Sequence, residues 1–193
     1  VLVTDNADTP IMKISGDGDN ISIGKTAGDS IAGALGTITI GLNAGTAITS
    51  SSDNIAIGKN ALTLQATSTG RCVAIGTQAL QNTTSRMNVA IGFQAGIATA
   101  GGEKNVFIGY NSGGAVTSGS LNTAIGMSSN CLLDGSNQIA IGSSVATTAT
   151  DQINIGGNII GSRTAADRYT KFVGQTYTET VVLTPAATVI PDF

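Results

Sequence analysis

The chain has 193 residues, 11% charged and 4% aromatic, with no Trp or His and a formal net charge of −3. Its nine basic residues are scattered rather than clustered, so a nucleic-acid partner is excluded: holding a phosphate backbone takes a concentrated Lys and Arg surface. Apolar residues come in short bursts, far from the roughly 18 to 20 in a row that a membrane helix needs, which excludes membrane insertion by that route. Disorder is equally disfavoured, because the chain is full of Ile, Val and Thr. No signal peptide is visible and the first residue is Val1, so either a segment was removed or the chain is a fragment.

Residues 1–15 read as a lead-in or cap. Val1-Leu2-Val3 and Ile11-Met12-Lys13-Ile14 look like short strands separated by the polar turn Thr4 to Pro10, and stacked-repeat rods need atypical ends of this kind.

From residue 16 to 161 one unit returns. An Ile-Gly pair places its glycine at Gly24, Gly41, Gly58, Gly76, Gly92, Gly109, Gly126, Gly142 and Gly156, at intervals of 17, 17, 18, 16, 17, 17, 16 and 14 residues. A fixed period of this size marks stacked repeats. Aligned on the glycine, the unit reads Asn, aliphatic, small, Ile, Gly, any, any, small, then Gly or Leu and a polar stretch. Asn54, Ile57 and Gly58 define it at one copy, Asn88, Ile91 and Gly92 at another. Ile108-Gly109 and Ile125-Gly126 repeat its core.

Alternation of large and small residues is the period-2 signature of a strand, with the aliphatic pair on one face and the small residue on the other. Helix is disfavoured by the recurring glycines and β-branched residues and by the lack of capped 3.6-residue patterns. The fold class that follows is all-β: a parallel β-roll or β-solenoid of about nine turns of 16–18 residues. At about 4.8 Å per rung it is roughly 40 Å long. Stacking is expected to cover the Ile and Val ladder, the Asn column to form a side-chain amide ladder, and the small-residue face to be the one that needs partner chains.

Residues 162–193 break the pattern. Arg163, Asp167, Arg168 and Lys171 gather there with Tyr169, Phe172 and Tyr177. Thr180 to Thr184 and Ala187 to Ile190 flank Pro185-Ala186 as a strand–turn–strand. The chain stops at Pro191-Asp192-Phe193, where more chain is expected to follow in the natural protein.

The segments Asn54 to Ala61 (Asn-Ile-Ala-Ile-Gly-Lys-Asn-Ala) and Asn88 to Ala95 (Asn-Val-Ala-Ile-Gly-Phe-Gln-Ala) resemble two related groups. One is the head repeat of trimeric autotransporter adhesins, and the other is the repeat region of bacteriophage tail-fibre and receptor-binding proteins. The resemblance spans roughly residues 20–156. The tail from Gln175 to Phe193 is similar to a segment towards the C-terminal end of phage fibres. The period near 17 exceeds the adhesin turn, and no heptad stalk or anchor barrel is visible, which favours the phage group. The resemblance implies a homotrimer located in a virion tail or head fibre. Its partners would be other virion proteins and a host cell-surface receptor, a glycan among the candidates. A bacterial surface adhesin or extracellular filament subunit is the alternative.

Candidate chemistry is sparse, and no catalysis, cofactor or metal is expected. A hexapeptide acyltransferase would need aliphatics about every sixth residue and a histidine base, and there is no His. A glycan-cleaving helix would need paired carboxylates, whereas the acids here are isolated apart from an N-terminal group. Asp17-Gly18-Asp19-Asn20 lacks the later bidentate Glu of a calcium loop. An ice-binding array would need aligned Thr pairs, and Thr37 and Thr39 have none in neighbouring rungs. Cys72 and Cys131 lie three rungs apart, about 14 Å at the stacking distance, too far for a disulfide, and are expected as free buried thiols.

The column after the glycine carries Phe93, Tyr110 and Met127 on consecutive rungs, with Phe107 on the Tyr110 rung. These four form the candidate interface or receptor stripe, since an exposed apolar stripe marks a surface that something covers.

Overall fold

The computed structural model describes residues 2–4, 10–15, 19–64, 70–162 and 170–172. Among them are thirteen strands and no helix. The strands form one sheet in simple sequence order.

Nine of them are parallel and built by the repeat: β3 (Asn20–Ile23), β4 (Ile38–Ile40), β5 (Ile55–Ile57), β6 (Val73–Ile75), β7 (Val89–Ile91), β8 (Val106–Ile108), β9 (Thr123–Ile125), β10 (Ile139–Ile141) and β11 (Gln152–Ile155). Equivalent residues face each other at every step, as in Val89↔Val106, Ala90↔Phe107 and Ile91↔Ile108. Nine strands bound eight complete coils, so the chain is a parallel β-solenoid. Its ends are antiparallel. β1 (Leu2–Thr4) and β2 (Pro10–Ser15) cover the first edge, with β2 pairing β3. At the other end β12 (Ile159–Ser162) folds back on β11 and pairs β13 (Thr170–Phe172). Both ends therefore differ from the repeat, as an edge with unpaired backbone groups requires. The expected strands at Thr180 to Thr184 and Ala187 to Ile190 lie outside the described residues.

The glycine after each strand has φ between 125° and 135° in the first eight copies. A side chain there would strike the next coil: a Cβ on Gly92 would lie 2.4 Å from the carbonyl oxygen of Gly109. The strand thus ends where coils approach closest, and only glycine allows the approach. A turn follows, in which the N–H three residues on donates back to the glycine carbonyl, as from Ala95 to Gly92 at 3.3 Å. Its third residue is left-handed: an amide at Asn43 (φ 57°), Asn60 (57°), Gln78 (61°), Gln94 (55°) and Asn111 (50°), and a hydroxyl residue at Thr26 (59°), Ser128 (53°) and Ser144 (55°).

Two further left-handed positions recur. One is the corner of the first six coils, Gly or Leu, with Leu62 at 52° and Leu80 at 48°. The other directly precedes the Asn column: Asp19, Gly36, Asp53, Arg71, Met87, Lys104, Leu121, Asn137 and Asp151. Each such non-glycine residue costs on the order of 1 kcal/mol. The cost is offset because nearly every side of a coil donates to or accepts from its neighbour. Links such as Gly96 N–H to Ser112 O (2.8 Å), Ala100 N–H to Thr117 O (2.9 Å) and Leu121 N–H to Glu103 O (3.0 Å) each contribute about 1 kcal/mol net.

The core reverses the expected assignment of faces. The small strand residue points inward: Ala56, Ala74, Ala90, Phe107, Ala124 and Ala140 are all fully buried. The Ile and Val pair points outward and stays partly exposed, with Ile91 at 38% and Ile108 at 36%. The reason is volume. A coil of about 17 residues with two or three tight turns encloses too narrow a space for two branched side chains per strand, so alanine goes in and isoleucine out.

What fills the interior alternates from coil to coil. Leu62 and Leu80 fill it from the corner, Ile48 and Val116 from the side beyond the corner, and Phe107 from the strand. Phe107 fits because the corners beside it are glycines. A Cβ on Gly113 would sit 2.1 Å from the Phe107 ring, and one on Gly96 2.7 Å from it.

The Asn column is buried and forms a ladder, although largely not of amide on amide. Asn105 Nδ2 donates to Gly119 O at 2.9 Å, and its Oδ1 accepts the N–H of Asn122 at 2.9 Å. Asn88 and Asn122 repeat the scheme, linking each side chain to backbone of its own coil and the next. A direct amide–amide bond in this column joins Asn105 to Asn88 at 3.2 Å. Amide-to-amide contacts appear instead at the half-buried turn, from Asn43 to Asn60 (3.0 Å) and from Gln94 to Gln78 (2.9 Å), with Thr26 bonded to Asn43 below them.

Two measurements test this core. Asn105→Ala strands a buried carbonyl and a buried N–H, so urea unfolding is expected to show a loss of about 2–5 kcal/mol. Phe107→Ala is expected to cost about 3–5 kcal/mol. Adding Gly113→Leu, which places leucine at a corner where Leu62 and Leu80 already adopt the required φ, should recover part of that loss. If the double variant were no more stable than Phe107→Ala, the volume exchange between strand and corner would be refuted.

Candidate functional site

The outward side of the parallel sheet is the surface that stands out. Seventeen aliphatic side chains occupy its two columns over nine strands, Thr123 being the one exception. The rungs of β4, β7 and β9 carry no charged residue from the position before the Asn column to the position after the glycine. Nine rungs at about 4.8 Å and a strip of about five residues give a footprint on the order of 500 Å². That lies at the upper end of what an isolated soluble chain leaves bare.

On one edge of this face runs the post-glycine column. Phe93, Tyr110 and Met127 are exposed there on consecutive rungs, and the rings of Phe93 and Tyr110 stack with centroids 5.3 Å apart and planes 11° from parallel. Phe107 does not belong to this stripe. It occupies the inward position of β8 and is fully buried, because strand alternation sends it to the face opposite Val106 and Ile108. Its side chain serves packing. The other edge is the left-handed column before Asn, whose residues are exposed or half-buried. Sequence reading passed over that column because a backbone requirement, rather than a residue type, defines it.

Charged groups beside the face pair between neighbouring coils. Arg86 reaches Glu103 at 3.1 Å and Arg71 reaches Asp53 at 3.7 Å, while Lys13 of the N-terminal hairpin meets Asp29 at 3.0 Å. All are substantially exposed, so each contributes little to stability. Asp134 accepts from the hydroxyls of Thr117 (2.6 Å) and Ser118 (2.7 Å), which holds its carboxyl below the usual range. Among the described residues no three His, Cys, Asp or Glu side chains gather as a metal site would require.

Cys72 and Cys131 are both buried and are not joined in a disulfide, as the rung spacing predicts. Burial pushes the Cys131 thiol up to about 11, partly countered by a hydrogen bond with Thr147. Gln138, one methylene longer than Asn, interrupts the Asn ladder. Its Oε1 accepts from Leu132 N–H at 2.7 Å and from the Thr147 hydroxyl, while its buried Nε2 finds no partner among the described residues.

No protein-family model, curated protein or solved structure matches this chain. The surface itself therefore has to carry the functional reading.

The two thiols give a direct check on coil closure. Neither is expected to react with a thiol-specific reagent at pH 8 in the native state, and both should react once the chain is unfolded in denaturant. A native thiol that titrates rapidly would mean that its coil opens.

Proposed function

We propose that this chain is a structural fibre protein of a virion: a segment of a homotrimeric tail or head fibre that forms a stiff β-rod and presents or contributes to host-cell attachment. The observation that carries this reading is the outward Ile and Val ladder running the length of the solenoid. A rod that only had to remain soluble would carry polar residues there. Three copies arranged around a common axis, each turning this face inward, cover it completely.

The magnitudes support association. Burying about one further CH2 on each of the seventeen aliphatic side chains contributes on the order of 14 kcal/mol at about 0.8 kcal/mol each. The cost of association is estimated at about 4–15 kcal/mol, so the ladder is sufficient to hold copies together with help from its edges. The ladder explains self-association. The assignment to a virion fibre rests on the likeness of the Asn-[Ile/Val]-Ala-Ile-Gly repeat and of the tail to phage fibres. The role is mechanical: backbone ladders run along the rod axis, so load is shared by hydrogen bonds in every coil. Partners on this reading are the other two copies, neighbouring virion proteins and a receptor on the host surface.

Sedimentation equilibrium of the purified chain is expected to give three times the mass of one chain. Ile91→Lys together with Ile108→Lys, both on the outward face, should reduce it to a single chain while the β circular-dichroism signal persists. A monomeric wild-type protein would overturn the proposal.

A further inference from the structure

The ladder has a defect as an interface. Its rungs repeat every coil, so two copies could meet in register or slipped by one rung with almost the same Ile-on-Ile contact. Something outside the ladder has to choose between these arrangements.

We propose that the post-glycine edge of each copy docks on the pre-asparagine edge of the next copy at the same rung, and that this pairing fixes the axial register of the assembly. The inference rests on the ring of copies proposed above, in which a face turned to a common axis brings one edge of each copy against the other edge of its neighbour.

The two edges are complementary on five of the nine rungs. Lys25 shares its rung with Asp19, and Lys59 shares its rung with Asp53. Phe93 shares its rung with Met87, and Met127 with Leu121, apolar against apolar. Tyr110 shares its rung with Lys104, which places an ammonium group against the exposed ring. The basic and apolar residues of the post-glycine edge, Lys25, Leu42, Lys59, Phe93, Tyr110 and Met127, are all exposed and available to a neighbour.

A slip by one rung in either direction loses both Lys–Asp pairs. Shifted one way, Lys59 meets Arg71, like charge on like, and Met127 meets Asn137, while Phe93 meets Lys104 and Tyr110 meets Leu121. Shifted the other way, Lys59 meets Gly36 and Met127 meets Lys104, while Phe93 meets Arg71 and Tyr110 meets Met87. The aromatic rungs accept either register, so the two Lys–Asp pairs are what sets it. The same pairing cannot close within one chain, because the two edges lie on opposite sides of a strand: Asp53 and Lys59 flank β5. The stripe of Phe93, Tyr110 and Met127 thereby acquires an occupant, the Met87, Lys104 and Leu121 edge of a second copy, instead of a receptor.

Charge reversal tests this in the full chain. Lys25→Asp with Lys59→Asp puts acid against acid at every seam, and Asp19→Lys with Asp53→Lys puts base against base. Each pair of changes is expected to raise the dissociation constant of the assembly at least tenfold at low salt, read by sedimentation. The chain with all four changes restores opposite charges and should return to within about threefold of wild type. Asp53→Lys also removes the intrachain contact with Arg71, which the fourfold variant does not restore, so recovery there reports on the seam alone.

A wild-type monomer would sink both the ring and the seam. A trimer whose affinity ignores the reversals, or fails to recover in the fourfold variant, would overturn the seam and leave the ring standing. Retained assembly with lost adsorption to host cells in Phe93→Thr with Tyr110→Thr would likewise overturn the seam, by assigning the stripe to a receptor.

Discussion

Each coil of this chain is held by hydrogen bonds to the coil beside it, and that lateral pairing is the constraint on which everything else depends. A loop of about 17 residues with several left-handed residues would not persist alone, since each of those residues is strained and its strand has only three members. Stacked, it is satisfied on nearly every side. Two columns enforce the stacking distance. The glycines admit the next coil's carbonyl where any Cβ would block it. The buried Asn side chains take the N–H of the next coil and give a hydrogen to a carbonyl of their own. The Asn column is therefore structural for a stated reason, and its polar atoms are spent on the backbone.

The same constraint decides which side chains face outward. With the coil drawn tight by its turns, the interior holds small strand residues and a few larger side chains supplied from the strand, the corner or the side beyond it. Phe107 between Gly96 and Gly113 and Leu80 at its own corner are alternative ways of filling the same limited space. The Ile and Val pair then has no place inside. The aliphatic ladder is left on the outside of the rod, and this exposed apolar surface is what the proposed assembly would cover.

The architecture was legible at the level of the repeat. Nine Ile-Gly pairs at intervals near 17 residues are enough to infer parallel stacking, because nothing but a coil of constant length places equivalent residues side by side so many times. The two short strands at the start were legible in Val1 to Val3 and Ile11 to Ile14, whereas their antiparallel pairing was seen only in the structure. The direction of the strand faces was not legible. Alternation states that Ile and Ala lie on opposite sides, without saying which side is inside, and hydrophobicity alone points the wrong way. The stripe of Phe93, Tyr110 and Met127 was legible from the period. Phe107 was misplaced with it, since an aromatic at a usually small position reads as an exposed exception until the glycines that make room for it are seen beside it.

The period, the parallel order of the strands and the rung on which each residue sits were determined by the sequence by itself, because these depend only on spacing along the chain. The inward or outward sense of each strand, the left-handed column before the asparagines and the partners of the buried amides were decided only by the tertiary structure. Those depend on how much volume a closed coil encloses and on which backbone groups its turns leave unpaired, and neither quantity exists until the coil is closed against its neighbour.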